Sequence, residues 1–320
     1  MAVGDAVPVL APDHHHVLYS TTTTDLWLLD TFGGLPRRLL VLPARSFLGK
    51  IAWSDDSTGL VLTIYTDRTP AGYKGIALSS WALMTLDLQS GQTHILTRSS
   101  PGRAFFPQPL GWSRHAGRLF LLEGQDGGAA VYRVLDENGA TLERLRVPDS
   151  TLQATLSPDD RNVLIATFPY TAGGHTTLSV RPAAHPSRVL VTVRPLRGWL
   201  LSSFTAWAPD GRSFAYSAAS VQDTTLPTER IPVQLRIADA ATGTTRLLRR
   251  EQGMNTHVLA WSLDGRVLLL GRETVDASHT DSLTLYGLHL DGASEYLLHT
   301  GEAAETHIDV VGWARPLITR

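Results

Sequence analysis

Two histidines stand at matching places ahead of a tryptophan: His257 in "NTHVLAW" and His307 in "ETHIDVVGW" precede Trp261 and Trp313 by four and six residues. Gln108 in "FPQPLGW", together with Asn255 and Asp309, occupies a comparable place. Imidazole, amide and carboxylate groups gathered at one point are a donor set for a divalent ion, which polarises a carbonyl or acidifies a bound water. The same groups lining a channel simply hold water. The water-lined reading expects no metal and no cofactor. In the metal reading, His257 and His307 are the ligands.

Other reactive residue types are placed less favourably. Ser113 and His115 are two apart in "WSRHAGR", inside a turn that recurs along the chain, where a polar pair is expected to be solvated rather than catalytic. The run His14, His15, His16 also falls on such a turn and strand start; alternation would point its members apart, so it is not expected to hold an ion. No G-x-S-x-G sequence occurs, and with no cysteine there is no thiolate nucleophile, disulfide or cysteine-bound zinc. No hydrolase activity is expected.

A second group has the composition of a binding surface. Phe105, Phe106 and Trp199 precede recurring strands, with Arg103, Arg197 and Arg68 near them in sequence, and arginine beside aromatic rings is typical of interface hot spots. The same rings could instead pack between sheets. Tyr73 with Arg68 in "TDRTPAGYKGIALSS", Glu229 in "SVQDTTLPTERIP" and His279 in "RETVDASHTDS" lie on long segments that resemble one another in no way.

These residues are spaced by a repeat. "WAPDGRSFAYS" at 207 has near-copies at 261 ("WSLDGRVLLLG"), 156 ("LSPDDRNVLIA"), 53 ("WSDDSTGLVLT"), 112 ("WSRHAGRLFLL") and 10 ("LAPDHHHVLYS"). The intervals are 43, 59, 44, 51 and 54 residues, and "GWARP" adds a partial copy with Trp313. Each unit reads as a short apolar segment, a Pro/Asp/Gly turn, a strand, a variable loop, a second strand, a second hairpin turn and a last strand. That second turn puts Asp before Gly in "LDTFGG", "LDLQSG", "LDENG", "ADAATG" and "LDGAS". Asp bonds its own backbone two residues on and Gly takes positive φ, so both turns are specified by side-chain chemistry. Four strands per unit cannot bury two faces alone, so neighbouring units must stack.

The W-S-P-D-G-R type turn followed by apolar strands and a D-x-x-x-G turn resembles the TolB-like β-propeller family, over essentially the whole chain. That resemblance implies an all-β, six-bladed propeller of four-stranded antiparallel blades in one domain, residues 1–320, with units starting near 10, 53, 112, 156, 207 and 261. Its ring would be closed by the strand at 307–313 pairing into the first unit. It also implies a periplasmic, extracellular or cell-envelope location, the alternative being cytoplasmic. A pore metal at His257 and His307 would make the chain similar to oligogalacturonate-lyase-like propellers. A further alternative is the propeller domain of a longer envelope or peptidase protein.

In such a unit the two stereotyped turns share one end, and the long loops share the other. Variable loops on a rigid scaffold carry binding residues. The expected function is therefore non-enzymatic binding of a protein, small molecule or glycan at the long-loop end. The expected contacts are Arg68, Tyr73, Phe106, Gln108, Trp199, Glu229, Asn255, His257, His279, His307 and Asp309. With a net charge of −2 over 320 residues there is no basic surplus for nucleic acid, and no apolar run is long enough for a membrane span. A monomer is expected.

Overall fold

The computed structural model describes residues 9–67, 78–99, 105–125, 130–147, 150–169, 176–221, 230–252, 256–275, 281–291 and 294–302. Its regular elements are all strands, arranged as six sheets of four antiparallel strands in which chain neighbours pair. The first sheet holds β1 (Val9–Leu10), β2 (His16–Tyr19), β3 (Asp25–Asp30) and β4 (Arg37–Val41). The second holds β5 (Ser46–Trp53), β6 (Gly59–Asp67), β7 (Leu78–Asp87) and β8 (Thr93–Arg98). In the third are β9 (Phe105–Ser113), β10 (Arg118–Gln125), β11 (Ala130–Asp136) and β12 (Thr141–Val147). The fourth follows with β13 (Ser150–Leu156), β14 (Asn162–Pro169), β15 (Thr177–Pro182) and β16 (Val191–Val193). The fifth comprises β17 (Trp199–Trp207), β18 (Ser213–Ser220), β19 (Pro232–Asp239) and β20 (Thr245–Gln252). β21 (Thr256–Trp261), β22 (Val267–Val275), β23 (Asp281–His289) and β24 (Glu295–Glu302) make the sixth.

The turn after the first strand of the second, fourth, fifth and sixth sheets is built by one device. The carbonyl of Ser54, Ser157, Ala208 or Ser262 accepts from the N–H three residues on at 2.9–3.0 Å, closing a type I turn. The Asp two residues after each, Asp56, Asp159, Asp210 or Asp264, accepts from the N–H two residues beyond it at 2.9–3.2 Å. Where Ser opens the turn, its hydroxyl donates to that Asp at 2.6–2.7 Å and accepts from the N–H that starts the next strand. The turn's left-handed residue is Ser57, Asp160, Gly211 or Gly265, with φ between 55° and 69°. The second turn is capped likewise: Asp239 accepts from the backbone N–H groups of Ala241 and Thr242, and Asp136 from Asn138 and Ala140.

The described strands fall into two compact units, one containing β1–β13 and the other β14–β24. Within each, the core lies between consecutive sheets. Leu18, Leu26, Leu48, Trp53, Leu60 and Leu86 join the first and second sheets, and Val61, Leu83, Trp112, Leu119 and Leu135 the second and third. In the other unit, Leu164, Val180, Trp207, Phe214 and Tyr216 join the fourth and fifth, and Leu235, Val258, Trp261, Leu268 and Leu288 the fifth and sixth. The repeat tryptophan is the mortise of this stacking. Trp53 Nε1 donates to Val9 O at 3.2 Å and Trp261 Nε1 to Ala206 O at 3.0 Å, each reaching the first strand of the preceding sheet. Trp112 lies on Gly59, where an added Cβ would meet Trp112 Cζ3 at 2.6 Å.

The strand expected at 307–313 lies outside the described residues.

Candidate functional site

The antiparallel order fixes which parts of a sheet share an end. Ser213 pairs with Asp239, so the turns before β18 and after β19 are adjacent; Trp199 pairs with Ser220 and Ala219 with Val233 at the other end, beside the β18–β19 loop.

At the turn end, a serine, a histidine and an aspartate do come together. Ser113 Oγ donates to Asp55 Oδ2 at 3.1 Å and lies 3.0 Å from His115 Nδ1, while that same Nδ1 makes a close contact with Asp55 Oδ2. A catalytic relay needs the imidazole to bridge, one nitrogen to the carboxylate and the other to the hydroxyl. Here one nitrogen meets both, so no proton path runs from Ser113 through the ring. Comparison among turns explains the cluster: His115 stands two residues after Ser113, where Asp56, Asp159 and Asp264 receive their serine hydroxyls. Asp55 also accepts from Arg114 N at 2.9 Å, and Arg114 donates to Asp87 at 2.9 Å while covering the Trp112 ring at 4.6 Å. Burial tends to raise the Asp55 pKa, but hydrogen bonds from the Arg114 backbone, His115 and Ser113 more than offset it and hold the carboxyl below its ordinary value. The cluster joins the second and third sheets.

The three successive histidines are likewise absorbed by a turn. Asp13 accepts from His15 N at 2.8 Å and pairs with His16 Nδ1 at 2.8 Å; His15 packs on Phe32, and His14 takes the left-handed position at φ 59°. Among the described residues no three His, Cys, Asp or Glu side chains are grouped as metal ligands.

At the long-loop end, His257 is the second residue of β21, pairs with Gly271 and packs its ring 4.2 Å from that of Phe204. Gln108 is half-buried in β9 opposite Leu122. Phe106 also lies in β9, opposite Gly124. Trp199 is the first residue of β17 and packs against the core between the fourth and fifth sheets. Arg68, Tyr73, Glu229, Asn255, His279, His307 and Asp309 lie outside the described residues.

Trp199 also walls a cleft that the sequence reading did not single out. Arg194, Leu196, Leu201, Tyr216, Ala218, Gln234, Arg236 and Thr245 complete it. Arg236 donates to Gln234 Oε1 at 2.8 Å and to Thr245 Oγ1 at 2.9 Å. Burial pushes the Tyr216 pKa up although the neighbouring Arg236 charge opposes this, so the phenol stays protonated. The signal was present in the repeat. Arg133 and Arg236 each stand three residues before the turn aspartate, Asp136 or Asp239, and Glu123 and Ala218 each stand eleven after the repeat tryptophan.

The sequence matches no protein-family model and no curated protein. Its structure matches solved ones. Oligogalacturonate lyase from Vibrio parahaemolyticus aligns with a TM-score of 0.56 at 9% identity, over 84% of this chain and 77% of that one. The Cps50 (Swd1) β-propeller domain of Myceliophteria thermophila aligns at 0.56 and 13% identity, over 95% of this chain and 88% of that one. This chain has the β-propeller fold. A Mycobacterium tuberculosis puromycin-hydrolyzing peptidase is also similar, at a TM-score of 0.59 and 14% identity over 91% of this chain, which spans 44% of that one. At such identities the likeness concerns fold alone, and these propellers sit in proteins of different activity. Among the described residues no helix is long and apolar enough to cross a membrane.

Proposed function

We propose that this β-propeller is a non-enzymatic binding module of the TolB-like kind, working outside the cytoplasm, with its ligand or protein partner held at the long-loop end of the blades. The observation that carries this reading is the asymmetry of the sheets. At the turn end, recurring Ser and Asp side chains are spent on capping backbone N–H groups, and the Ser113–His115–Asp55 cluster is a variant of that cap with no path for proton transfer. The other end joins strands by segments of unlike length and sequence, carrying Arg68, Tyr73, Glu229 and His279.

Trp199 packs on the core, so truncating it disturbs folding as well as binding. The loop residues make the cleaner test. Immobilised wild type and an Arg68→Ala, Tyr73→Ala, His279→Ala triple variant of equal melting temperature are used to capture partners from envelope extract. Partners held by the wild type should be lost from the triple variant, because truncated hot-spot side chains each cost on the order of 2 kcal/mol. Equal recovery by both proteins would show that this end of the blades does not bind them.

A further inference from the structure

Strand register brings the same four positions together as two neighbouring pairs in several sheets. In the third sheet Leu121 pairs with Arg133 and Glu123 with Val131; in the fifth Tyr216 pairs with Arg236 and Ala218 with Gln234. Arg133 thus corresponds to Arg236, and Glu123 to Ala218. The surroundings match further: Arg133 donates to Thr141 Oγ1 and Arg236 to Thr245 Oγ1, each threonine opening the fourth strand of its sheet.

The countercharge is what differs. Arg133 donates to the buried Glu123 carboxylate at 2.5 Å. In the sixth sheet Arg272, at the Glu123 position, donates to buried Glu251 at 2.8 Å, and Tyr286, at the Arg133 position, donates to the same carboxylate oxygen at 2.6 Å. Arg236 has only neutral partners, Gln234, Thr245 and Tyr216, and among the described residues no carboxylate pairs with it. Where Glu123 would project, Ala218 leaves the cleft, with a volume of about 20 Å³, which suffices for a water or a small polar head group.

We propose that this cleft binds a small monocarboxylate, whose head group takes the place that Glu123 fills in the third sheet. The head accepts charge-assisted hydrogen bonds from Arg236 and Arg194, the two cations of the lining. Its short apolar body lies along Trp199 and the exposed Leu196 of the lining. A half-buried guanidinium with only neutral acceptors is incompletely compensated, so an incoming anion gains more there than at a fully exposed arginine. The inference gives chemistry to the Trp199 side of the proposed binding module and rests on that reading. Its test uses a small anion, so it can fail while partner capture by the loops succeeds, and the reverse.

The experiment follows the melting temperature of the whole protein at pH 7 in increasing sodium butyrate, with chloride and inorganic phosphate at matched ionic strength. Butyrate should raise Tm saturably, by about 2 °C or more, and the other anions should not. Ala218→Glu, which supplies the missing carboxylate from within, should melt no lower than wild type and lose the butyrate shift. Arg236→Met should lose it too, and decides the matter if Ala218→Glu does not fold. A wild-type shift no larger than that from chloride or phosphate would overturn the proposal, as would a folded Ala218→Glu or Arg236→Met protein that kept the butyrate shift.

Discussion

At the scale of single residues, position within the repeat decides what a reactive side chain does. Ser113, His115 and Asp55 have the composition of a hydrolytic triad, yet their contacts are those of a turn cap in which His115 has replaced the usual aspartate. The spacing in the sequence was enough to expect no catalytic role for Ser113 and His115, but the pair was expected to be solvated, whereas Ser113 is buried. Asp55 was not legible, because it reaches them from 58 residues away. The depressed Asp55 pKa has a thermodynamic consequence with a definite sign. A carboxyl whose folded pKa lies below its unfolded value, near 3.9, stabilises the fold above that unfolded value. The contribution is lost as pH falls through the folded pKa. Asp55→Asn should therefore lower the denaturation midpoint at pH 7, and the gap to wild type should narrow progressively below about pH 4. A gap that stayed constant from pH 7 to pH 3 would mean that the Asp55 charge is not what stabilises the cluster.

At the scale of elements, the repeat was readable because its turns are specified locally. Type I geometry, the capping aspartate and the left-handed fourth position all come from residues within six of each other, so their pattern survives in the sequence. Packing between sheets was less readable. The tryptophans marked the ends of first strands, but their targets, Val9 O for Trp53 and Ala206 O for Trp261, lie 44 and 55 residues away. Likewise Arg236 and Ala218 mean little singly, and their role emerges only when strands of different sheets are aligned by register. Gly59 tests the packing account. A Cβ there would meet the Trp112 ring at 2.6 Å, and Arg114 lies over that ring. Gly59→Ala should cost about 1–3 kcal/mol of unfolding free energy, measured by urea denaturation, although alanine suits a strand better than glycine. A neutral or stabilising substitution would show that Trp112 can move aside at no cost.

At the scale of the whole molecule, the sequence led to the β-propeller fold, which the structural likeness to solved propellers bears out at 9–14% identity. Function was legible only as a contrast between a repetitive end and a variable end of each blade, since loops diverge where turns cannot. Of the residues proposed for binding, Trp199 turned out to belong partly to the core, and His257 to pack against Phe204. The reading as a binding module stands opposed to one in which His257 and His307 hold a catalytic divalent ion. Elemental analysis of purified, dialysed protein, compared with His257→Ala, distinguishes them most directly. The binding-module account predicts well under one equivalent of any divalent transition metal, unchanged by the substitution. A full equivalent that vanished in His257→Ala would contradict it and make the protein a metalloenzyme candidate.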